Sequence, residues 1–542
     1  MAERWGTRVG LILAMAGNAV GLGNFLRFPA QAIQNGGGAF IIPYLVSFVV
    51  MGIPLLWVEW AIGRHGGQFG HHSTPGMFDR LGASRWLKYI GVFGLFTNLC
   101  IAAYYLYIES WALAYVWHSL WGTFARIEAT AFFSHYVGTQ AGGLTAWPGE
   151  ALLWFVLTLL LNVWVLSRGL SRGIEAAARI GMPLLILFAI VLVVRGLLLG
   201  PGDPQVVENP LDGLNFVWQP QIAGLLNPST WLAAAGQIFF TLSLGMGSIH
   251  CYASYLRERD DIALNAASAG WLNEFVEVVL GGSLIIPIAT AYLGLAAVTA
   301  ATASGSGFTL GFLTLPTLFG NWGWFAPLAG AMWFGLLFFA GITSSLAMGQ
   351  PIVTFFEDEL GVASLKGSLV FGSITAALGV FCVVFYPAGA FDEFDFWAGT
   401  VSLVVFALAE SLVFSWIFPL ARGWEEINRG AQLRIPRVFR FLIGYITPAF
   451  LLVIFLGALV KPAGEWSTAF DGLLVGRGWA FSPDSVIGRI LHSGEARYLW
   501  FNAQGAPTRD FIIDLTRILL TLVFIGLALL VRKAWERRTS QP

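Results

Sequence analysis

Polar residues and glycines interrupt a hydrophobic stretch that begins near Val9 and runs to about residue 33. Within it, segment 17–29 (GNAVGLGNFLRFP) holds three glycines, two asparagines, an arginine and a proline. A helix that crosses a bilayer satisfies its backbone groups internally. A helix that unwinds here would instead free carbonyl oxygens, which suit a small hard cation, and amide N–H groups, which suit a carboxylate.

A second stretch of the same kind, FFTLSLGMGS, occupies residues 239–248. Small residues four apart, such as Gly17 and Gly21, are also typical of close helix packing. The polar residues Asn18, Asn24 and Arg27 favour unwinding instead, because polar groups at membrane depth usually line cavities or pathways. Neutral oxygens that could bind sodium lie on several hydrophobic segments: Asn24, Thr241, Asn273, Thr343 and Ser344.

The elements that must position these residues are membrane-spanning helices. Of the 542 residues 57% are hydrophobic and 11% are charged, and the mean hydropathy is +0.71. Twelve hydrophobic runs are long enough to span a bilayer: 9–33, 39–62, 89–121, 149–167, 174–199, 230–255, 263–296, 323–355, 367–386, 393–420, 439–460 and 511–531. The net charge of −1 and the lack of a basic tract give no support for nucleic-acid binding.

The predicted fold is therefore all-α and integral to the membrane, with a single transporter domain over residues 1–542. Most Lys and Arg residues fall in one set of loops, so both termini are expected in the cytoplasm. The interrupted spans are the first and the sixth, which predicts a 5+5 inverted repeat of spans 1–5 and 6–10 with a site at mid-membrane. The expected units are 1–200 and 230–420, followed by helices 11–12 in 439–533, with a long extracellular loop at about 461–510.

Six motifs are similar to those of the neurotransmitter sodium symporter family, and most similar to its bacterial leucine transporters: GNAVGLGNFLRFP (17–29), NGGGAFIIPY (35–44), GQIFFTLSLGMG (236–247), LNEFVEV (272–278), FFAGITSSLA (338–347) and DEFDFWAGT (392–400). The resemblance runs from Trp5 to Phe450. It implies a secondary active symporter with helices 1 and 6 unwound at mid-membrane and helices 11–12 appended.

The resemblance also implies two sodium sites. One would use the carbonyls of Ala19 and Thr241, the side chains of Asn24, Thr241 and Asn273, and the carboxylate of the substrate. The other would use the carbonyls of Gly17, Val20 and Ala340 with the hydroxyls of Thr343 and Ser344.

By the same resemblance, the substrate is a free amino acid. Its backbone would contact Ala19, Gly21, Leu22, Gly23 and the Tyr105 hydroxyl. Its side chain would lie among Val20, Ile101, Tyr105, Phe240, Ser243, Met246, Ser344 and Met348, beside Thr241. This lining is mostly apolar, so the side chain should be aliphatic, with aromatic side chains left open because methionine adapts to varied shapes. Monoamine transporters of the family carry Asp where this chain has Gly21.

Gate residues are assigned by the same resemblance. Arg27 and Asp395 match the extracellular pair, with Tyr105 and Phe240 as a lid below it. Trp5, Tyr255 and Asp358 match the cytoplasmic gate. The family usually has an arginine where this chain has Ala2, which leaves the geometry of the inner gate open, with Arg4 as a substitute.

Glu277 lies one helical turn beyond Asn273, where chloride-dependent members of the family have Ser. A carboxylate there would supply the negative charge itself, so the expected cofactors are two Na⁺ ions with no chloride requirement. The resemblance thus implies a multi-pass protein of the cell (inner) membrane that takes up hydrophobic L-amino acids and is not an enzyme. Its partners are the amino acid, sodium and the lipid bilayer; a homodimer is left open. The alternative is an amino-acid-binding sensor of the same fold that does not translocate its ligand.

Overall fold

The computed structural model describes residues 4–304, 307–493 and 498–540. Residue Ala2, whose identity bears on the inner gate, lies outside these ranges. Ten helices of the described chain are long and apolar enough to cross a membrane: Gly38–Gly67, Leu87–Leu120, Gly149–Leu166, Leu170–Leu197, Ile262–Leu293, Thr309–Leu360, Ser364–Val384, Ala390–Ile417, Val438–Val460 and Arg509–Arg538.

Two further spans are broken in the middle, as the sequence predicts. The first consists of Arg8–Ala19 and Leu22–Gln34, which are bent by 49° relative to each other. The sixth consists of Pro228–Thr241 and Ser248–Ala253, separated by residues 242–247. Counting the bent first span as one, the described residues hold eleven helices or helix pairs long and apolar enough to cross a membrane. The broken sixth helix falls outside that count, and the predicted all-α membrane fold is confirmed. The repeat boundaries at 1–200 and 230–420 stay a prediction.

The centre of the bundle is built by the third and eighth spans. Leu87–Leu120 packs along Ala326–Leu360 over much of its length, and the first half of span one packs against span seven. The most apolar stretch of span three is 83% buried within the protein, whereas that of the twelfth span is only 28% buried. The broken helices therefore lie in the protein core, where non-helical backbone is tolerated because it is enclosed by protein.

Several predicted loops contain short helices of their own. Residues 122–148 include Ala129–Tyr136, and residues 200–229 include Pro210–Trp218. Residues 297–322 are also largely helical, beginning with Leu295–Ser304. Loops of this length usually carry such local structure, because their backbone polar groups need partners.

The described part of the long segment between spans eleven and twelve folds onto the N-terminal end of span ten. It contains the helices Trp466–Leu474 and Val486–Ile490 and two isolated bridges. Its Arg489 and the span-twelve residue Arg517 both bind the carboxylate of Glu393, at 2.6 and 2.7 Å. Glu393 is two residues before Asp395, so this arginine clamp fixes the helix end that carries a predicted gate residue.

Candidate functional site

The break in the first span exposes backbone amides toward the third span. Helix Arg8–Ala19 ends at Val20, whose backbone is extended, and the second half begins at Leu22. The Leu22 amide donates a hydrogen bond to the Tyr105 hydroxyl at 3.0 Å, and the Gly21 amide donates to Asn24 Oδ1 at 2.8 Å. A Cβ atom at Gly21 would lie 2.8 Å from the Tyr105 oxygen and 3.1 Å from Ser344 Oγ. Only glycine therefore fits here without displacing a neighbour.

The break in the sixth span depends on left-handed backbone. Ser243, Gly245 and Gly247 have φ values of 54°, 68° and 94°. The Ser243 hydroxyl donates to the carbonyl of Asn18 at 2.9 Å, which joins the two breaks directly. The amide of Gly245 is free of its own helix and donates to Glu59 Oε1 at 2.7 Å.

Most of the predicted substrate-binding residues line one small cavity of about 30 Å³ between these breaks: Ala19, Gly21, Gly23, Ile101, Tyr105, Phe240, Thr241, Ser243, Met246, Ser344 and Met348. Two predicted members do not line it: Val20 is buried behind the break, and Leu22 faces a larger vestibule. The cavity wall also includes Tyr104 and Leu403, which the sequence analysis did not single out. Tyr104 is next to Tyr105, but no spacing pattern in the sequence marks Leu403.

Carbonyl oxygens of the first break converge on one hydroxyl of the eighth span. Ser344 Oγ lies 3.2, 3.4 and 3.5 Å from the carbonyl oxygens of Gly17, Asn18 and Val20, and 3.1 Å from that of Ala340. The Thr343 hydroxyl lies 3.3 Å from the same Ala340 oxygen. A hydroxyl has one proton, so it satisfies only one of these acceptors. The remaining oxygens form a neutral cluster whose chemistry fits a small cation.

The other predicted sodium ligands form a hydrogen-bonded chain. Asn24 Nδ2 is 2.9 Å from Asn273 Oδ1, and Asn273 Nδ2 is 3.0 Å from Thr241 Oγ1. Asn24 also contacts Glu277 Oε2 at 3.0 Å, and Gln237 donates to Glu277 Oε1 at 2.7 Å. All of these side chains are buried. The Glu277 carboxylate is therefore hydrogen-bonded directly to Asn24, which is one of the candidate sodium ligands.

A larger vestibule of about 700 Å³ lies next to the small cavity. Both extracellular gate candidates, Arg27 and Asp395, line it. Within the described ranges, Arg27 and Asp395 form no direct ion pair. The Arg27 guanidinium lies 4.4 Å from the centroid of the Phe240 ring, and Asp395 Oδ1 accepts a hydrogen bond from Tyr104 at 2.7 Å. Tyr105 and Phe240 line both the vestibule and the small cavity, so they lie between the two.

At the opposite end of the bundle, the gate candidates are tightly packed. Trp5 Nε1 donates to the carbonyl of Tyr252 at 3.0 Å. Tyr255 stacks on the ring of His72, with 4.4 Å between centroids, and Asp358 binds the same histidine. In the described chain Arg4 is exposed and makes no ion pair with Asp358. In the sequence, nothing distinguishes His72 from an ordinary polar loop residue, so no role was predicted for it.

A further buried polar cluster links spans two, six and ten. His250 lies between Glu59 and Glu410, with nitrogen–oxygen distances of 3.5 and 3.3 Å, and all three side chains are fully buried. Both carboxyl oxygens of Glu410 lack a regular hydrogen-bond partner in the described structure. Glutamates at membrane depth are a signal that could have drawn attention to this cluster from the sequence.

Comparison with known proteins adds independent information. The model of the Sodium:neurotransmitter symporter family matches residues 2–136 and 122–482. A sodium-dependent transporter of Methanocaldococcus jannaschii is 30% identical over 487 residues, covering 86% of this chain and 93% of that protein. Sodium-dependent nutrient amino acid transporter 1 of Drosophila mojavensis is 26% identical over 507 residues, covering 83% of this chain and 75% of that protein.

The solved structure of MhsT in complex with L-phenylalanine is also similar. It has 29% sequence identity and a TM-score of 0.71, and the match covers 84% of this chain and 99% of that one. The predicted family, the predicted fold and the prediction that the protein is not an enzyme are thereby confirmed. The chain is a multi-pass, sodium-dependent membrane transporter, and it belongs to the neurotransmitter sodium symporter family.

Proposed function

We propose that the protein imports hydrophobic L-amino acids together with two sodium ions, without a chloride requirement, by alternating access. It would do so across the cell (inner) membrane with both termini in the cytoplasm. The sites would be formed by the residues assigned above, in the repeat arrangement given there. MhsT binds L-phenylalanine in its solved structure, and the insect relative is a nutrient amino acid transporter. Both agree with this substrate class.

The observation that carries the proposal is the two-sided exposure of the first break. On one side, the carbonyls of Gly17 and Val20 face the hydroxyl of Ser344. On the other, Gly21 lines the small cavity and its amide donates to Asn24 Oδ1, while the Leu22 amide donates to the Tyr105 hydroxyl, which also lines the cavity. Carbonyl oxygens favour a cation and amides favour a carboxylate. An amino acid bound here would also lend its carboxylate to the sodium site of Asn24, Thr241 and Asn273, whose side chains are joined by hydrogen bonds. The ion at that site and the substrate would then each complete the other's site, which is the basis of coupling.

The lining of the cavity supports an apolar side chain. Ile101, Phe240, Met246 and Met348 face it, and no charged residue lines it. Gly21 leaves no carboxylate to pair with a lone amine, and a side chain there would collide with Tyr105. An amine without its own carboxylate would therefore lack a counter-charge, whereas a free amino acid brings one. The flexible methionines favour a range that includes aromatic side chains.

Chloride independence is supported by the position of Glu277. Its carboxylate contacts Asn24 and Gln237 inside the candidate sodium network. A fixed negative charge beside a cation site supplies what a bound anion would otherwise provide.

Two sodium ions would provide enough energy for concentrative uptake. A tenfold sodium gradient is worth about 1.4 kcal/mol per ion. A membrane potential of about 100 mV adds about 2.3 kcal/mol per charge. Two ions together supply roughly 7 kcal/mol, which corresponds to a concentration ratio on the order of 10⁵.

The experiment is uptake of labelled leucine into proteoliposomes, with gluconate replacing chloride throughout. An inward sodium gradient is compared with the same gradient of potassium. Concentrative uptake that occurs with the sodium gradient and not with the potassium gradient supports the proposal. Uptake that requires chloride contradicts the proposed chloride independence. Sodium-dependent binding of leucine, phenylalanine or tryptophan in detergent without any flux would favour the alternative, a sensor with this fold.

A further inference from the structure

The loop histidine His72 is held by the gate candidates at the end of the bundle opposite the vestibule. It lies between the second span and the short helix Thr74–Asp79. Its backbone amide donates to Asp358 Oδ2 at 2.8 Å, and its ring Nδ1 lies 2.9 Å from the same oxygen. The Tyr255 ring stacks on the His72 ring, with an angle of 21° between the two ring planes. His72 therefore connects the loop, the end of span eight and the end of span six.

Among the described residues, the carboxylate of Asp358 pairs with no cationic side chain other than His72. Arg538 of the twelfth span binds Glu359 at 2.9 Å and touches only the backbone carbonyl of Asp358, at 3.1 Å. Arg4 makes no ion pair among the described residues, and the chain has Ala2 where an N-terminal arginine would be expected. His72 and Asp358 are 20% and 18% exposed, so their attraction is only partly screened by water.

We infer that His72 is the cationic partner that locks the cytoplasmic gate by binding Asp358 under Tyr255. The inference deepens the proposed alternating-access function and rests on it. Opening this end requires spans six and eight to separate, and the His72 contacts tie both to the loop. The lock is a charged pair when the imidazole is protonated and a neutral hydrogen bond when it is not.

The lock should consequently respond to pH on the cytoplasmic side. Histidine is the side chain whose charge ordinarily changes between about pH 5 and pH 8. The titratable and charged groups around the ring are Asp358 and Glu359 on span eight, Tyr255 on span six, Arg538 on span twelve, and His71 and Arg80 on the loop and its helix. Of these, His71 and Arg538 are directed to Glu359, so Asp358 is the group whose pairing depends on His72.

The test measures opening directly and needs no substrate. Hydrogen–deuterium exchange of the purified full chain is followed in potassium buffer, in the peptides that cover residues 5–15 and 248–258, at about pH 6 and about pH 8. Exchange times are scaled for the intrinsic pH dependence of amide exchange. The wild-type protein should show about fivefold more opening at the higher pH, the factor expected for a partly exposed ion pair.

Three variants separate a lock from a merely structural contact. His72→Arg keeps a permanent charge and should give low opening at both pH values. His72→Gln keeps a hydrogen bond without charge and should give equal, high opening at both. His118→Gln is the matched control: His118 also pairs with a glutamate, Glu150, at 2.6 Å, but lies at the other end of the bundle, and should retain the wild-type response.

A wild-type response that persists in His72→Gln overturns the inference, as does an absent response in the wild-type protein. Opening in His72→Arg that equals that of His72→Gln also overturns it. Thermal unfolding temperatures identify any variant that is simply misfolded, and the remaining variant then decides. Because sodium and substrate are absent, failure of leucine uptake would leave this result unaffected, so the two proposals fail separately.

Discussion

The hydroxyl of Tyr105 on the third span accepts a hydrogen bond from the amide of Leu22, the first residue after the break in the first span. The amide is one of the orphan donors at the start of a half-helix, and a tyrosine hydroxyl is both donor and acceptor. This contact closes the small cavity on the side where a substrate carboxylate would bind. It couples the broken helix to the continuous core of the bundle.

Removing this hydroxyl should weaken binding without disturbing the fold. In Tyr105→Phe we expect the affinity for leucine in sodium to fall about tenfold, the upper range for a lost hydrogen bond. Equilibrium binding of labelled leucine in detergent measures it. Tyr115→Phe is the control, because the Tyr115 hydroxyl is buried on the same helix without a regular partner. Equal affinities in the two variants would contradict the assignment of Tyr105.

A side chain at Gly21 should block the site. Its Cβ would come within 2.8 Å of the Tyr105 oxygen, and overpacking of this kind costs about 1–3 kcal/mol. We expect Gly21→Ala to lower sodium-dependent leucine binding by about tenfold to a hundredfold. Gly236→Ala lies on the sixth span with open space around the added methyl group, and it should bind normally. Normal binding by Gly21→Ala would show that the substrate lies elsewhere.

Removing the carboxylate of Glu277 should create a need for an external anion. In Glu277→Ser, sodium-dependent binding in gluconate should be about tenfold weaker than in chloride, because the charge that supports the cation site is lost. The wild-type protein should bind equally in both salts. Glu109→Gln removes a different buried carboxylate, which contacts Asn162, and should leave binding insensitive to chloride. A Glu277→Ser variant indifferent to chloride would refute this role.

The buried cluster of His250, Glu59 and Glu410 makes a prediction about stability. Replacing His250 with Leu leaves two carboxyl groups facing each other without a polar partner between them, at a cost of about 1–3 kcal/mol. Thermal unfolding in detergent should therefore occur at a lower temperature. Adding Glu410→Gln to His250→Leu should recover part of the loss, because only one acid then remains. If Glu410→Gln lowers the unfolding temperature of His250→Leu by as much as it lowers that of the wild-type protein, the two groups do not interact.

Most residues of the candidate site could be picked out from the sequence because they are concentrated in short, contiguous motifs; the roles assigned to them stay predictions. Glycines inside hydrophobic spans marked both breaks, together with asparagines in the first and with Thr241 and Ser243 in the second. Most observed helix ends lie within about five residues of the predicted ones, but the eighth helix begins earlier, at Thr309, and the twelfth ends later, at Arg538. The motifs that supplied Ser344, Asn273 and Tyr105 are local, so their identity survives without knowledge of the packing.

What the sequence did not reveal are contacts between distant segments. Leu403 belongs to the cavity only because the tenth span passes beside Gly245, and His72 meets Asp358 across 286 positions of the chain. Nothing in the local pattern around either residue separates it from an ordinary membrane leucine or loop histidine. The same holds for Arg489 and Arg517, whose common target, Glu393, lies far away in the sequence.

The arginine clamp on Glu393 has a mechanical consequence. Arg489 belongs to the segment between spans eleven and twelve, and Arg517 belongs to span twelve itself, yet both hold the tip of span ten. Any tilt of that tip toward Arg27 must therefore move two other elements with it: the folded segment 461–493 and span twelve. A binder that immobilises this segment, such as an antibody fragment raised against residues 461–493, would slow transport from a surface remote from the substrate.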